Sequence, residues 1–229
     1  WIERIPAYAR HSDCAECDTR AFCLIGGLER KDTDGPCAIF DAEGPFCAGE
    51  RIYRAGEAVR SVYAIKKGTV KLETVTQDGR LLVNGLLFTG ELLGVDGIGT
   101  GAYPADAVAL EETYLCGLRL AELDALCRKV PEIQTSLLGR LSSALSAARY
   151  GCAALRQQSA AMRTLAFLRQ LQARQQVTGA GRGGRICLPM TKQDIASYLW
   201  MSPESLSRSL KNLEEEGYIR NTREGITLV

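Results

Sequence analysis

Met201-Ser202-Pro203-Glu204-Ser205-Leu206-Ser207-Arg208-Ser209-Leu210-Lys211 is the stretch on which the reading turns. Ser202 is a good N-cap, and Pro203 suits the first helical position, where its missing N–H costs nothing. Leu206, Leu210 and Leu213 recur at i, i+4 and i+7 and give one apolar side. Glu204, Ser207, Arg208 and Lys211 share the other. A core side opposite a side of base-reading groups is what insertion into a DNA major groove requires. Upstream, Thr191 and Asp194 make a capping-box pattern that predicts a helix from Thr191 to Leu199, with Ile195, Ala196 and Leu199 turned inward. Two short helices joined at Trp200-Met201-Ser202 predict a helix-turn-helix. Tyr218-Ile219-Arg220, a turn through residues 221–225 and Ile226-Thr227-Leu228-Val229 predict a β-hairpin wing. An ordinary helical hairpin is the competing reading of this stretch alone.

The remaining sequence narrows the class. A chain of 229 residues has room for two domains, and 46% apolar with 24% charged residues describes a soluble globular protein. The net charge of +1 is uninformative, but its distribution is not. No Asp or Glu occurs from Ile133 through Gln193, while Arg and Lys recur there. Such polarity suits an anionic partner for one half of the chain, although an Ala/Leu/Ser-rich helix would also produce it. No window reaches eighteen consecutive apolar residues, so no membrane span is expected. Nothing resembles a signal peptide. A start at Trp1 suggests that native residues precede it. Nine cysteines, an odd number without a secretory signal, argue against a disulfide scaffold and point to a reducing cytoplasm.

Residues 1–30 form a polar segment with Cys14, Cys17 and Cys23 in a C-x2-C-x5-C spacing. Thiolates this close repel one another unless a cation neutralises them. Zinc takes four ligands and an iron–sulfur cube also takes four, so a fourth donor must come from elsewhere. His11, the sole histidine, is either a ligand or a solvated polar residue.

From Cys37 to Leu120 the pattern is of short β-type runs: 51–54, 62–65, 69–75, 81–88, 105–110 and 113–118. Their spacing predicts a small antiparallel sandwich or barrel. Gly85, Gly90, Gly94, Gly97, Gly99 and Gly101 read as one tight irregular loop, with no phosphate-cradle motif. A short helix over 120–126 follows, and Pro131 opens a long one. In it Leu138, Leu141, Leu145, Ala148, Cys152 and Leu155 step by 3, 4, 3, 4, 3, a heptad seam suited to a homodimer or to packing within its own domain. Ser159 can cap a helix carrying Met162, Leu165, Ala166, Leu168 and Leu171. A glycine-rich basic loop and a short strand at 185–189 then lead into the helix-turn-helix.

The order of cysteine segment, β-barrel, dimer helix and winged helix-turn-helix resembles the CRP/FNR family of bacterial transcription regulators, and within it the FNR oxygen sensors. Gly68-Thr69-Val70-Lys71 looks like the family's β-roll signature. Glu204-Ser205-Leu206-Ser207-Arg208 matches the E-x-x-S-R recognition pattern. Cys14, Cys17 and Cys23 match the FNR spacing, and Cys116 stands where the distant fourth ligand does.

The resemblance implies an α+β chain in four parts. These are a cluster-binding segment (1–30), a cyclic-nucleotide-binding-like antiparallel β-roll or jelly roll (31–130), a dimerisation helix (131–158) and a winged helix-turn-helix (159–229). It implies a [4Fe–4S] cluster on Cys14, Cys17, Cys23 and Cys116, present without oxygen and lost in O2. The partners implied are a second copy of the chain, palindromic double-stranded promoter DNA and RNA polymerase. No catalytic residues are implied. On DNA, Arg208 is placed for guanine, Glu204 for cytosine N4 and Ser207 for a thymine, with Ser202, Ser205 and Lys211 for phosphates. Cys37, Cys47, Cys127, Cys152 and Cys187 match no ligand position. The turn Gln77-Asp78-Gly79 is a candidate polymerase contact.

Several positions depart from the pattern. Tyr103-Pro104-Ala105 stands where the cyclic-nucleotide branch holds phosphate with Arg-Ser, so no cyclic nucleotide is expected. Ala148 replaces the buried acid that often opposes dimerisation, so the dimer is expected to depend less on the cluster. Trp200 stands where the turn commonly has Gly; a left-handed conformation there would cost about 1 kcal/mol. Asp13, Glu16 and Asp18 flank the first thiols and should affect cluster potential. A zinc or thiol switch on the same scaffold, an iron–sulfur electron-transfer protein and a haem regulator are the competing readings.

Overall fold

The computed structural model describes residues 40–129, 131–157, 159–178, 184–222 and 225–229. Two compact units divide within one helix, between Ser142 and Ser143.

The described residues of the first unit form eight strands: β1 (Phe40–Phe46), β2 (Arg51–Tyr53), β3 (Ser61–Lys67), β4 (Thr69–Val75), β5 (Leu81–Phe88), β6 (Leu92–Leu93), β7 (Asp106–Ala109) and β8 (Thr113–Arg119). They form two antiparallel four-stranded sheets, ordered β1-β8-β3-β6 and β2-β7-β4-β5. Period-two alternation selects the inward side chains. Val70, Ile65 and Leu115 are buried with Leu93, Ala107, Val59, Tyr53 and Tyr103 in one cluster. The β3–β4 connection turns on Gly68 at φ 105°, where a Cβ would collide with Thr113 Oγ1. Only glycine tolerates both that angle and that approach.

Three expectations are amended here. β1 and β6 lie outside the runs read as strands. Gly44-Pro45 and a bulge between Glu43 and Phe46 break the alternation of β1, which proline permits because the strand is at a sheet edge. Gly85 belongs to β5 rather than to the glycine-rich loop; it faces Leu72 beside a bulge in β4–β5. The helix predicted at 120–126 extends further, as α1 (Leu120–Lys129).

α2 (Pro131–Gln157) is the long helix. Leu123 and Leu126 of α1 and Ile133 of α2 pack with Val62 and Leu118 on one face of the β3–β8 sheet. Arg140 Nη1 donates to the Gly90 carbonyl at 3.2 Å, a second tie between α2 and the strands.

The second unit holds α3 (Ala160–Thr178), β9 (Arg185–Ile186), α4 (Lys192–Tyr198), α5 (Pro203–Glu215), β10 (Ile219–Thr222) and β11 (Gly225–Leu228). Ser159 Oγ accepts from Met162 N at 3.3 Å and caps α3. Leu165, Leu168 and Leu171 are buried, whereas Met162 and Ala166 are exposed and Phe167 takes the inner position. β10, β11 and β9 form one antiparallel sheet in that order. Asn221 and Thr222 are therefore paired strand residues, not part of the turn. Among the described residues no helix is long and apolar enough to cross a membrane.

Candidate nucleic-acid interface

α4 and α5 are set by their caps. Thr191 Oγ1 accepts from Asp194 N at 3.1 Å, and the Asp194 carboxylate accepts from Thr191 N at 3.1 Å, completing the capping box. Ser202 Oγ accepts from Ser205 N at 3.2 Å and caps α5, with Pro203 in its first turn. Ile195 and Ala196 of α4, Leu199 at its C-cap, and Leu206, Leu210 and Leu213 of α5 are buried. Burial of that stripe leaves Glu204, Ser207, Arg208 and Lys211 exposed on α5.

The polar groups differ in how committed they are. Arg208 and Ser207 are exposed on α5. Lys211 Nζ lies 3.5 Å from Glu215, an i,i+4 pair with both side chains mostly exposed and so of little strength. The Ser202 hydroxyl, already engaged as the cap, also lies 3.2 Å from Ser205 Oγ. The carboxyl of Glu204 is held below the ordinary carboxylate range, first by the Ser202 hydroxyl, then by its own backbone N–H, with the Arg208 charge adding to both. Glu214, Glu215 and Glu216 end the helix as an exposed acidic run, and Glu214 Oε1 accepts from Asn221 N at 3.1 Å.

Three features had no clear signal in the sequence. Ser209 is buried on the leucine side and donates to the Ser205 carbonyl at 2.8 Å, so a hydroxyl sits in the core without an open donor. Gln175, also buried, clamps the chain after β9. Its Nε2 donates to the Cys187 carbonyl at 2.6 Å and its Oε1 accepts from Cys187 N at 2.9 Å. Arg220 on β10 is exposed beside Asn221 and Thr222; a cation on a hairpin wing was the available signal. Trp200 has φ 56°, so the turn does take a left-handed conformation at this position.

Of the four thiols implied as cluster ligands, Cys14, Cys17 and Cys23 lie outside the described residues, as does His11. Cys116 is half-buried on β8, opposite Ala42 of β1 and Ala64 of β3. It packs on the cluster of Val62, Leu118, Leu123, Leu126 and Ile133, against which Leu137 of α2 also packs. Cys127 of α1 packs there too, and burial pushes its thiol up, with Asp124 adding to the shift. Among the described residues no group of three or more His, Cys, Asp or Glu side chains could hold a metal.

The interior of the β-roll is filled where Tyr103 stands. Its ring stacks on Tyr53 at 3.7 Å between centroids, and its hydroxyl donates to the Ser61 carbonyl at 2.7 Å. Tyr63 adds a third ring, 6.4 Å from Tyr53. Burial raises the Tyr53 and Tyr63 hydroxyls above the ordinary tyrosine value, so both stay protonated. Gly94, at φ 81°, makes room: a Cβ there would lie 2.9 Å from the Tyr103 ring. Of the dimer-seam residues, Leu138 is 59% and Leu145 53% exposed in the single chain. Leu141 is half-buried and Ala148 exposed, while the Cys152 and Leu155 side chains are outside the described set.

Comparison with known proteins agrees with this layout. Residues 43–130 match the cyclic nucleotide-binding domain family and residues 162–229 the Crp-like helix-turn-helix domain family. The chain is 30% identical over 228 residues to the fumarate nitrate reduction regulatory protein of Klebsiella oxytoca, covering 99% of this chain and 90% of that one. It is 29% identical to the fumarate and nitrate reduction regulatory protein of Escherichia coli (strain K12) over the same length and with the same coverage. In fold it is similar to FixK2 from Bradyrhizobium japonicum, with a TM-score of 0.70 at 22% identity over 82% of this chain and 91% of that one. A CRP/FNR-family regulator from Thermus thermophilus gives 0.64 at 25% identity, covering 83% of this chain and 93% of the other. With its β-roll followed by a Crp-like helix-turn-helix, and with a relative of this identity along nearly its whole length, the chain belongs to the CRP/FNR family of DNA-binding transcription regulators, which are not enzymes.

Proposed function

We propose that the chain is an oxygen-responsive regulator that works in the cytoplasm as a homodimer on palindromic promoter DNA. Its state is set by a [4Fe–4S] cluster on Cys14, Cys17, Cys23 and Cys116. The observation that carries this reading is the position of Cys116. It is half-buried and packs on the cluster that includes Ile133, in the first turn of α2. A fourth sulfur placed there, with three more in a ten-residue segment, is an all-thiol donor set suited to such a cube. When bound, the cluster supplies an oxygen-labile tie between the N-terminal segment and β8, and its loss in O2 releases the promoter. The chain does the rest: Leu118, Leu126 and Ile133 connect β8 to α2, and Arg140 holds α2 to the Gly90 carbonyl. A change at Cys116 can thereby bias the packing of α2.

Exposed Leu138 and Leu145 support the homodimer seam of Leu138, Leu141, Leu145, Ala148, Cys152 and Leu155, because burying them between copies removes apolar surface from water. Residues 1–30, 31–130, 131–158 and 159–229 then serve as cluster segment, β-roll, dimer helix and reader. On DNA, Arg208 would read guanine, Glu204 cytosine and Ser207 thymine, while Ser202, Ser205 and Lys211 meet phosphates. The Tyr53–Tyr103 stack supports a β-roll without a cyclic nucleotide. Val75 and Leu81, 65% and 57% exposed, flank the Gln77-Asp78-Gly79 turn and support a polymerase contact there.

The test is iron and acid-labile sulfide per chain, under argon and after air, for the native protein and Cys116→Ser. About four of each per chain under argon, lost in air and lowered in the variant, is the expected result. Zinc in both atmospheres, or undiminished iron in the variant, would overturn the reading.

A further inference from the structure

Trp200 is held at a double disadvantage. It is the one non-glycine residue with positive φ among the described residues, and its side chain is 68% exposed. Left-handed backbone is costly for any residue with a Cβ. An indole in water also gains nothing from burial. The turn leaves the backbone little freedom: Trp200 N donates to the Ser197 carbonyl at 3.1 Å and Met201 N to the Ala196 carbonyl at 3.0 Å. Glycine would satisfy both bonds without strain, so the packing of this unit does not explain an indole here.

We propose that Trp200 is a DNA-backbone contact at the edge of the α5 footprint, its ring lying on a deoxyribose and its Nε1–H donated to a phosphate oxygen. The proposal rests on the helix-turn-helix being the DNA reader. Trp200 stands two residues before Ser202, the cap of α5, a separation of at most about 7 Å of extended backbone. The indole is a donor-only group, and a phosphate oxygen is an acceptor. An aromatic body with one polar edge suits a surface that is apolar at the sugar and charged beside it. Lys192, Arg208 and Lys211 are exposed on the same helix pair and draw phosphate toward it. A contact of this kind positions the reader without naming a base, so it acts on every sequence alike.

The full chain, purified and assayed under argon, provides the test. Trp200→Gly should melt no lower than the native protein and lose roughly tenfold in affinity, the scale of one hydrogen bond to a charged group. The loss should be equal on the specific duplex and on random duplex. The slope of log affinity against log salt should not change, because no charge is removed. In a Trp1→Phe background the emission of Trp200, then the sole tryptophan, should shift to the blue or be quenched when duplex is added. Unchanged affinity, or unchanged emission at saturating DNA, would overturn the proposal. So would normal DNA binding with lost transcription, which would move the contact to polymerase. If Arg208→Ala and the native protein bind specific and random duplex equally, the DNA-reader assignment itself fails, a result distinct from failure at Trp200 alone.

Discussion

Arg208 stands exposed on α5, with Leu206 and Leu210 buried on the opposite side. Arg208→Ala should cost about 1–3 kcal/mol on the specific duplex and relax choice at one base pair. Titrations against specific and random duplex check this, and equal losses on both would contradict it. Ser202→Ala should cost about 1 kcal/mol of stability through loss of the cap, read from denaturant unfolding. Glu204 behaves differently because the Ser202 hydroxyl depresses its pKa. A lowered carboxyl contributes to stability above its unfolded value, and loses that contribution as pH falls through the folded value. The whole effect lies on the acid side. Glu204→Gln should therefore change specific affinity by the same factor at about pH 6 and about pH 8; a ratio that drifts between them would refute the assignment. The caps and the leucines were legible because each is a local rule. Ser209 and Gln175 were not, since a buried hydroxyl and a side-chain clamp depend on partners that the sequence does not identify.

Elements were legible in proportion to their regularity. α5 has its cap, proline and apolar spacing in one short run, and its start at Pro203 follows from them. β1 carries Gly44-Pro45 and a bulge, so its pairing with β8 cannot be read from alternation. Gly85 looked like loop material because glycine is depleted in strands, yet in β5 it pairs with Leu72 beside a bulge at Asn84 of the same strand. In α2 the heptad spacing was plain, but whether it met its own domain or a second copy was not. Exposure of Leu138 and Leu145 favours the second copy. Leu138→Glu together with Leu145→Glu should leave the protein folded and monomeric, by far-UV circular dichroism and sedimentation at micromolar concentration. A persistent dimer would remove the seam from these residues. Leu126→Ala, at a fully buried position against Ile133, should instead cost about 2–5 kcal/mol in unfolding.

Across the whole molecule, the order of parts was legible because each part has its own period. The proposed sensor mechanism was less so, because the cysteines proposed as its ligands are distant in sequence and three of them lie outside the described residues. Ala148, exposed on α2, offers no buried acid to drive two copies apart. The cluster-free protein is therefore expected to remain substantially dimeric at micromolar concentration, and sedimentation showing only monomer would refute this. One feature of the sheet bears on how any such signal leaves the sensor. β8 is hydrogen-bonded to β1 on one side and β3 on the other, so Cys116 is moored in the middle of a sheet rather than on a frayed margin. Tension on that sulfur cannot be relieved by peeling one strand away. The amides around it should exchange with deuterium only through opening of the whole roll, with iron or without, while any difference between the two states collects downstream in α2.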